Sequence, residues 1–385
     1  MSARLTRVRS REIFVDDGEE QRGYTRIGDW GNLSAVPGVV EKHLEQFFDE
    51  HGPAISAIGE PVSEAVAHLR AFTLGGGKRV RPLYGWAGFV GAGGLETSGE
   101  DPNAVLRAMS ALEFIQACAL VHDDIVDASD TRRGNPTVHR SVEAQHLENH
   151  WLGDAATFGV NTAILLGDLA LVWAEDMWRY SGVSLEALQR AAEPWVGMRT
   201  EVIGGQILDI SLESRGSESA DMADRVNRFK TAAYTIERPL HLGATIAGAD
   251  DETIAAFRGY GRDIGIAFQL RDDLLGVFGD PAITGKPAGD DLREGKRTVL
   301  YATALELLDA NDADELRTGV GTATDPKVLQ RLADLIRQSG AEDAVEERIN
   351  RLTASGIAHL DTAGITAEAR QALSELAHKA TDRRM

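Results

Sequence analysis

Aspartates gathered in two clusters are the residues of this chain best suited to metal chemistry. Asp123, Asp124 and Asp127 form the first cluster, and Asp272 and Asp273 form the second. Asp123 and Asp127 are four residues apart, so in a helix they lie about 40° apart, on one face. Carboxylates without His or Cys partners suit Mg²⁺, which usually also takes oxygens from substrate phosphates. The clusters therefore predict a magnesium-dependent site for a phosphorylated substrate.

Each cluster also has a simpler explanation, which stays open at this point. A group of carboxylates can be no more than a solvated helix end, although two such groups after apolar segments favour a shared site. The pair His122-Asp123 is also typical of metal phosphohydrolases, but no further metal-binding histidines follow at a recognisable spacing.

Short groups of Lys and Arg accompany the acidic clusters and supply the charges that bind phosphate. The segment 76–82 (GGKRVRP) puts three cations beside a glycine turn. It is not a nucleotide-binding P-loop, because Arg79 stands where Ser or Thr should follow Lys78. Further phosphate-binding candidates are Arg132, Arg133, Lys230, Thr231, Lys286 and Lys296. Any one of them alone would more often be a solvated surface group, so their value lies in accompanying the aspartates.

The elements that must position these residues are helices. Apolar residues recur at helical spacing from about residue 38 almost to the end, without alternating strands or a repeat. The predicted helices cover 103–127, 161–180, 185–210, 222–248, 252–276, 298–309, 327–339 and 341–355. We therefore predict an all-α fold, with residues 1–35 as a flexible N-terminal arm and 36–385 as one large domain. The Gly/Pro-rich loop over 276–297 is long enough to be functional, although a solvated connection explains it equally well.

Composition narrows the class of protein. The chain has 385 residues, with 60 Asp and Glu against 40 Lys and Arg, which gives a formal net charge of −20. This charge argues against a nucleic-acid partner, and the single cysteine, Cys118, excludes a disulfide framework. No uninterrupted apolar run reaches the ~18 residues that a membrane span needs. The expectation is a soluble, cytoplasmic protein.

Five motifs occur in order along the chain. They are GGKRVRP at 76–82, LVHDDIVDASDTRRGNPTVH at 120–139, GGQILD at 204–209, KTAAYTIERPL at 230–240 and FQLRDDLLGVFGDPAITGKPAGDDLREGKRT at 268–298. In combination they resemble the trans-isoprenyl diphosphate synthases of the polyprenyl synthetase family, most of all bacterial geranylgeranyl diphosphate synthases. The resemblance implies an isoprenoid-synthase fold around a central cavity, a homodimer, and condensation of isopentenyl diphosphate with dimethylallyl, geranyl or farnesyl diphosphate.

The resemblance also assigns roles by position. The metal ligands, which hold about three Mg²⁺ ions per active site, would be Asp123, Asp124, Asp127, Asp272 and Asp273. The contacts to the allylic diphosphate would come from Arg132, Lys230 (also a catalytic cation), Thr231, Gln269, Lys286 and Lys296. Isopentenyl diphosphate would be held by Gly77, Lys78, Arg81, Gln116 and Arg133.

Two positions depart from the pattern of the family. Gln116 stands where relatives often have His. Gly276 stands where the second motif can carry a third Asp, which leaves Asp280, Asp290 or water as the third ligand on that side.

The implied mechanism and product length follow from charge and from helix geometry. Metal ions and cations stabilise the diphosphate as its C–O bond breaks, the double bond of isopentenyl diphosphate attacks the allylic cation, and a proton passes to the departing diphosphate. The product grows along the helix before the first cluster, where a turn of about 5.4 Å is close to one isoprene unit. Small Ala119 and Cys118 leave room for it, and Ile115, Phe114 and Leu112 would form the floor. This predicts a C20 product, geranylgeranyl diphosphate, with C15 and C25–C30 products still open.

Two other functions fit parts of the sequence. A terpene cyclase shares the fold and the first aspartate motif, but it usually has an Asn/Ser/Glu triad where this chain has Asp272 and Asp273. A non-catalytic subunit of a prenyl synthase typically loses one aspartate motif, and both are present here. The condensing synthase is therefore the main hypothesis, and Mg²⁺ on the aspartates explains how an acidic protein binds an anionic substrate.

Overall fold

Helices make up almost all of the structure, a computed structural model that describes residues 33–279 and 289–382. The elements after a 3₁₀ turn at Leu33–Ala35 are α1 (Val36–Ile58), α2 (Glu60–Leu74), α3 (Val80–Gly91), α4 (Gly94–Thr97), α5 (Pro102–Val126), β1 (Thr131–Arg132), β2 (Asn135–Pro136), α6 (Val138–Glu148), α7 (Ala155–Arg179), α8 (Leu185–Arg190), α9 (Ala192–Arg215), α10 (Ala220–Val226), a π-helix (Asn227–Glu237), α11 (Arg238–Ala247), α12 (Asp251–Phe278), α13 (Asp290–Glu294), α14 (Val299–Leu307), α15 (Ala310–Gly319), α16 (Pro326–Ser339), α17 (Ala341–His359) and α18 (Ala367–Thr381). The predicted all-α fold is confirmed. Most of the predicted N-terminal arm lies outside the described residues.

The central helix is α5, which is buried along most of its length. A helix that is apolar on all sides must be enclosed by other elements, and α1, α3, α6 and α7 pack around it. The Asp101 side chain starts the helix by accepting a hydrogen bond from Asn103 N–H, and Pro102 occupies its first turn. Because α5 ends at Val126, the first acidic cluster lies at its C-terminal end.

The π-helix carries Lys230 and Thr231 between α9 and α12. Its neighbours have glycines where they approach it most closely. A Cβ on Gly205 of α9 would lie 2.3 Å from Lys230 N, and a Cβ on Gly265 of α12 would lie 2.5 Å from the π-helix backbone. A π-helix is rare and occurs mostly at functional sites. The segment 222–248, predicted as one helix, is therefore three, and its middle part is adapted to position two site residues.

The connection after the second acidic cluster is shorter than predicted. Instead of a loop over 276–297, α12 continues to Phe278 and the short α13 begins at Asp290. Residues 280–288, which include Lys286 and Asp280, lie outside the described residues.

A small hairpin follows the first acidic cluster. The two-residue strands β1 and β2 pair antiparallel, and Arg133 and Gly134 form the turn with φ of 54° and 77°. The hairpin turns the chain back toward the end of α5. Sequence analysis missed it because two residues are too few to show an alternating pattern.

Two helices, α5 and α7, are long and apolar enough to cross a membrane by length and composition, although each contains charged residues. The apolar window of α5 is 78% buried within the protein, as expected of a core helix. The window of α7 is only 28% buried. Phe158, Leu165 and Val172, spaced seven residues apart, are among the exposed apolar residues of α7. An apolar stripe therefore lies on the outside of this helix.

Candidate active site

The first acidic cluster lies at the end of α5, and Arg132 of the hairpin folds back onto it. Asp124 is 1% exposed, Asp123 is half-buried and Asp127 is the residue that follows the helix. Arg132 Nε donates to Asp124 Oδ1 at 2.7 Å, and Arg132 Nη2 lies 3.5 Å from Asp123 Oδ2. Carboxylates at a helix C-terminus are disfavoured by the helix dipole, so the cluster is not there to stabilise the helix.

Asp123 is also held by residues of α9 and the π-helix. Gln206 Nε2 donates to Asp123 Oδ1 at 2.8 Å. Lys230 Nζ lies 3.1 Å from the same oxygen and donates to Asp209 Oδ2 at 2.5 Å. Burial opposes the ionisation of Asp123, but Lys230 and Arg132 outweigh it and hold the pKa of Asp123 below its ordinary value. Likewise, Asp123 and Asp209 raise the pKa of Lys230 despite burial, so both partners are charged at neutral pH.

The second acidic cluster lies on α12 and is joined to the π-helix by hydrogen bonds. Thr231 Oγ1 donates to Gln269 Oε1 at 2.7 Å, and Gln269 Nε2 donates to Asp273 Oδ1 at 2.8 Å. Asp272 is half-buried beside the buried Asp273. Burial, with Asp291 and Asp272 nearby, raises the pKa of Asp273 to about 8. The structure thus brings together four residues that the sequence placed in one site.

Asp291 of α13 fills the place that Gly276 leaves open. A Cβ on Gly276 would lie 2.1 Å from Asp291 Oδ2, so the Asp291 carboxylate rests against the Cα of Gly276. Asp290, one of the candidates from the sequence, instead forms an ion pair with Arg293. The third carboxylate beside Asp273 therefore comes from a different helix, which sequence analysis missed.

Lys296 connects the two acidic clusters. Its Nζ lies 2.9 Å from Glu294 Oε2 and 3.8 Å from Asp291 Oδ1. Although burial favours the neutral amine, the carboxylates of Asp291, Glu294 and Asp127 raise the pKa of Lys296. Since Asp127 belongs to the first cluster and Asp291 to the second, the two clusters face the same space.

The first cluster carries more negative charge than its cations neutralise. Burial and the neighbouring Asp123 raise the pKa of Asp127 to about 6. Glu213, one turn after Asp209 on α9, has its pKa raised to about 7 by burial and by the charges of Asp209 and Asp127. Like charges held this close are typical of a site that receives cations.

The donor atoms of this site fit Mg²⁺. They are carboxylate oxygens, and the buried Asp273 Oδ2 has no hydrogen-bond partner among the described residues. Within 33–279 and 289–382, no three His, Cys, Asp or Glu side chains converge as a complete cation cage.

Cations from three elements meet at the turn between α2 and α3. Gly77 has φ 134°, a backbone conformation that favours glycine, and Lys78 beside it is exposed. Arg133 Nη1 donates to Gly76 O at 3.0 Å. The Arg81 guanidinium lies 4.0 Å from the ring centre of Tyr234 in the π-helix. Burial, with Arg132, Arg79 and Arg81 nearby, lowers the pKa of Arg133, which Glu113 only partly opposes.

The predicted floor residues lie on α5 above the first cluster. Ile115 and Cys118 are buried, and Gln116 and Ala119 are half-buried. Phe114 is fully buried. Its ring centre lies 4.9 Å from that of Phe47, 5.5 Å from that of Phe48 and 6.0 Å from that of Trp173. Phe114 lies nine positions before Asp123, about 13 Å along the helix and on its opposite face, whereas Leu112 lies on the same face as Asp123.

Sequence reasoning therefore named most of the residues that the structure brings together around the two acidic clusters, but not all of them. Gln206 and Asp209 belong to the GGQILD motif, yet no role followed from the sequence, and the glycine at 276 was the only hint of Asp291. The predicted contact Lys286 lies outside the described residues.

Known proteins were found that this chain is similar to, in sequence and in structure. The family model of polyprenyl synthetase matches residues 63–336. A solved structure of geranylgeranyl pyrophosphate synthase from Corynebacterium glutamicum, complexed with isoprenyl diphosphate and magnesium, is similar with a TM-score of 0.89 and 60% identity, covering 92% of this chain and 100% of that one.

Curated relatives differ in the product that their names state. A geranylfarnesyl diphosphate synthase of Aeropyrum pernix is 36% identical over 278 residues, which are 71% of this chain and 79% of that protein. A (2E,6E)-farnesyl diphosphate synthase of Mycobacterium tuberculosis is 34% identical over 319 residues, which are 80% of each chain. These likenesses agree on the type of enzyme and not on the product length.

Proposed function

This chain belongs to the polyprenyl synthetase family and is a prenyltransferase of the trans-prenyl diphosphate synthase type, and on that premise we propose that its main product is geranylgeranyl diphosphate. Members of the family use isopentenyl diphosphate and an allylic diphosphate. We propose the aspartates of both clusters as Mg²⁺ ligands, and the cations of the α2–α3 turn as the site of isopentenyl diphosphate.

The observation that carries the proposal is that each acidic cluster has an ammonium group beside it, Lys230 at the first cluster and Lys296 at the second. Lys230 Nζ contacts Asp123, and Lys296 Nζ contacts Asp291. A diphosphate placed between the clusters would meet both ammonium groups, which stay charged because their pKa values are raised. Fixed charges of this kind stabilise the negative charge that develops as the C–O bond breaks. Mg²⁺, held there by the aspartates, would supply further positive charge for the leaving diphosphate.

The length of the product is proposed from α5. Ala119 and Cys118 present small side chains in the last turns before Asp123, and Leu112 lies about 16 Å from Asp123 along the helix, within about 20° of the same face. Phe114 lies on the opposite face of α5 from Asp123, where it packs against the rings of Phe47, Phe48 and Trp173. The floor is therefore assigned to Leu112, with Ile115 beside it. This spacing supports a C20 chain over a C15 chain.

We also propose a homodimer in the cytoplasm, formed through the exposed apolar stripe of α7. A second stripe with the same spacing of seven residues, Val196, Ile203 and Ile210, lies on α9. Apolar surfaces of this extent on a folded protein usually mark an interface. The neighbouring residue Gln206 contacts Asp123, so the interface would lie directly behind the active site.

The test is a condensation assay with the purified protein, Mg²⁺, labelled isopentenyl diphosphate and farnesyl diphosphate. The proposal predicts that the wild type converts farnesyl diphosphate to a longer prenyl diphosphate. Asp123→Asn and Asp273→Asn should each condense the substrates at least about a hundredfold more slowly, because removal of a group that stabilises developing charge typically costs a factor of about 10² in rate. A hydrocarbon product would indicate a terpene cyclase instead, and a complete lack of product would indicate a non-catalytic subunit.

A further inference from the structure

A buried ion pair lies beneath the α2–α3 turn, and the chemistry described above does not use it. Arg79 Nη1 donates to Glu113 Oε2 at 2.7 Å, and the two side chains are 5% and 4% exposed. Removing two charges from water costs about as much free energy as their attraction returns. Moreover, Arg79 Nη2 and Glu113 Oε1 each lack a hydrogen-bond partner among the described residues. Stability alone therefore does not account for this pair.

The ion pair holds a strained segment of backbone, at Arg79 itself, in place. Arg79 has φ 47° and ψ 44°, the left-handed conformation that non-glycine residues rarely adopt. Its Nη1 also donates to Thr73 O at 2.8 Å, near the end of α2, where backbone carbonyls lack partners within the helix. One guanidinium thus connects the end of α2, the left-handed residue before α3, and the core helix α5.

The elements that this ion pair connects, the α2–α3 turn and α5, carry proposed contacts to isopentenyl diphosphate. Lys78 immediately precedes Arg79, and Arg81 follows it by two residues. Gln116 lies one helical turn after Glu113 on α5, so the two side chains are neighbours on the helix surface. Glu113 is also the carboxylate that offsets the mutual repulsion of the arginines around Arg133. The described residues proposed for the allylic diphosphate lie on other elements, namely β1, the π-helix, α12 and the segment after α13.

We propose that Arg79 and Glu113 are positioning residues for isopentenyl diphosphate. Their ion pair holds the α2–α3 turn, so that Lys78 and Arg81 already face the place of the diphosphate group before this substrate binds. This inference rests on the proposed function, because it assumes that isopentenyl diphosphate binds at this turn. A binding site that is held in its bound conformation loses less freedom when the ligand arrives, so loss of the pair weakens binding of this substrate in particular.

The test is steady-state kinetics of Glu113→Gln with each substrate varied in turn. We expect KM for isopentenyl diphosphate to rise about ten- to hundredfold, a range typical of a misplaced contact. KM for farnesyl diphosphate and the rate at saturation stay within about threefold of wild type. Asp263→Asn is the matched control, because this buried carboxylate is bound by Ser355, Arg262 and His359, away from the turn. It should leave both KM values unchanged.

A second variant keeps the test valid if Glu113→Gln does not fold. R79M/E113L removes both charges and replaces them with apolar side chains of similar volume, which buried pairs often tolerate. Its KM for isopentenyl diphosphate should rise as well. Unchanged KM values, or equal increases for both substrates, overturn the positioning role while condensation by the wild type keeps the proposed function intact. If the wild type itself condenses nothing, it is the proposed function that fails.

Discussion

The carboxyl groups of Asp127 and Asp273 have pKa values of about 6 and about 8, far above those of ordinary aspartates. Burial contributes most in both residues, and neighbouring carboxylates add to it. A raised carboxyl pKa means that the folded protein binds the proton more tightly than the unfolded chain does. Stability therefore falls as pH rises from about 4 through these pKa values. At the scale of single residues, these two buried carboxyl groups therefore lower the stability of the folded protein at neutral and alkaline pH.

This linkage predicts how Mg²⁺ stabilises the protein. Mg²⁺ must displace the protons from its ligands, and it then relieves a repulsion that is greatest when the carboxylates are ionised. At about 100 times its Kd, a ligand adds about 2.7 kcal/mol of stability. We expect the increase in Tm caused by Mg²⁺ over EDTA to be larger at pH 8 than at pH 6. Differential scanning calorimetry at both pH values measures it, and an equal increase would contradict the prediction.

Asp291→Asn should reduce that pH dependence. The change removes a charge that raises the pKa of Asp273, so the metal-free variant loses less stability between pH 6 and pH 8 and gains less from Mg²⁺. Asp290→Asn is the matched control, since Asp290 is paired with Arg293 instead. Identical responses of the two variants would show that Asp291 is not part of the second cluster.

We expect single residues to decide the product length as well. Ala119 lies four residues, about one helical turn, before Asp123. A phenyl group at this position would occupy the space through which the chain grows, so Ala119→Phe should shorten the main product from C20 to C15. Ala119→Ser, which adds one oxygen, should leave the product unchanged. Chromatography of the dephosphorylated products compares them, and a C20 product from Ala119→Phe would refute the role of α5 as a ruler.

At the scale of elements, the π-helix depends on glycines of its neighbours. A Cβ on Gly205 would lie 2.3 Å from Lys230 N and 2.6 Å from its Cα, and backbone atoms yield less readily than side-chain ends. Gly205→Ala should therefore lower stability by about 1–3 kcal/mol and move Lys230 away from Asp123, with a lower kcat. Gly38→Ala in α1 is the control, because nothing lies within 4 Å of its added Cβ. Urea denaturation and steady-state rates distinguish the two, and a fully active Gly205→Ala enzyme would contradict this account.

The elements also mark how far the sequence could predict the structure. Apolar spacing is a local property, so it located α5 and α12 and the aspartates at the ends of their apolar runs. The approach of Asp291 to Gly276 joins residues fifteen positions apart on two helices, and no local pattern encodes it. The Arg79–Glu113 pair spans 34 residues and was missed for the same reason. The π-helix has an ordinary helical sequence, and only its glycine neighbours distinguish it.

At the scale of the whole molecule, the apolar stripes of α7 and α9 predict a dimer. Leu165 is 67% exposed at the middle of the α7 stripe. Leu165→Glu would place an unpaired charge in the interface, which is costly to bury, so we expect this variant to be monomeric. Ile58→Glu is the control, since Ile58 is 73% exposed at the end of α1 and belongs to neither stripe. Light scattering after size-exclusion chromatography gives the masses, and a dimeric Leu165→Glu protein would place the interface elsewhere.

The central claim is that the whole molecule condenses isopentenyl diphosphate with allylic diphosphates up to a C20 product. The most direct measurement follows labelled isopentenyl diphosphate with dimethylallyl, geranyl and farnesyl diphosphate in separate reactions, each with Mg²⁺ and with excess chelator. All three allylic substrates should yield geranylgeranyl diphosphate as the main final product, and the chelator should abolish it. Label that ends in C15 or extends well beyond C20, or full activity in chelator, would contradict the account.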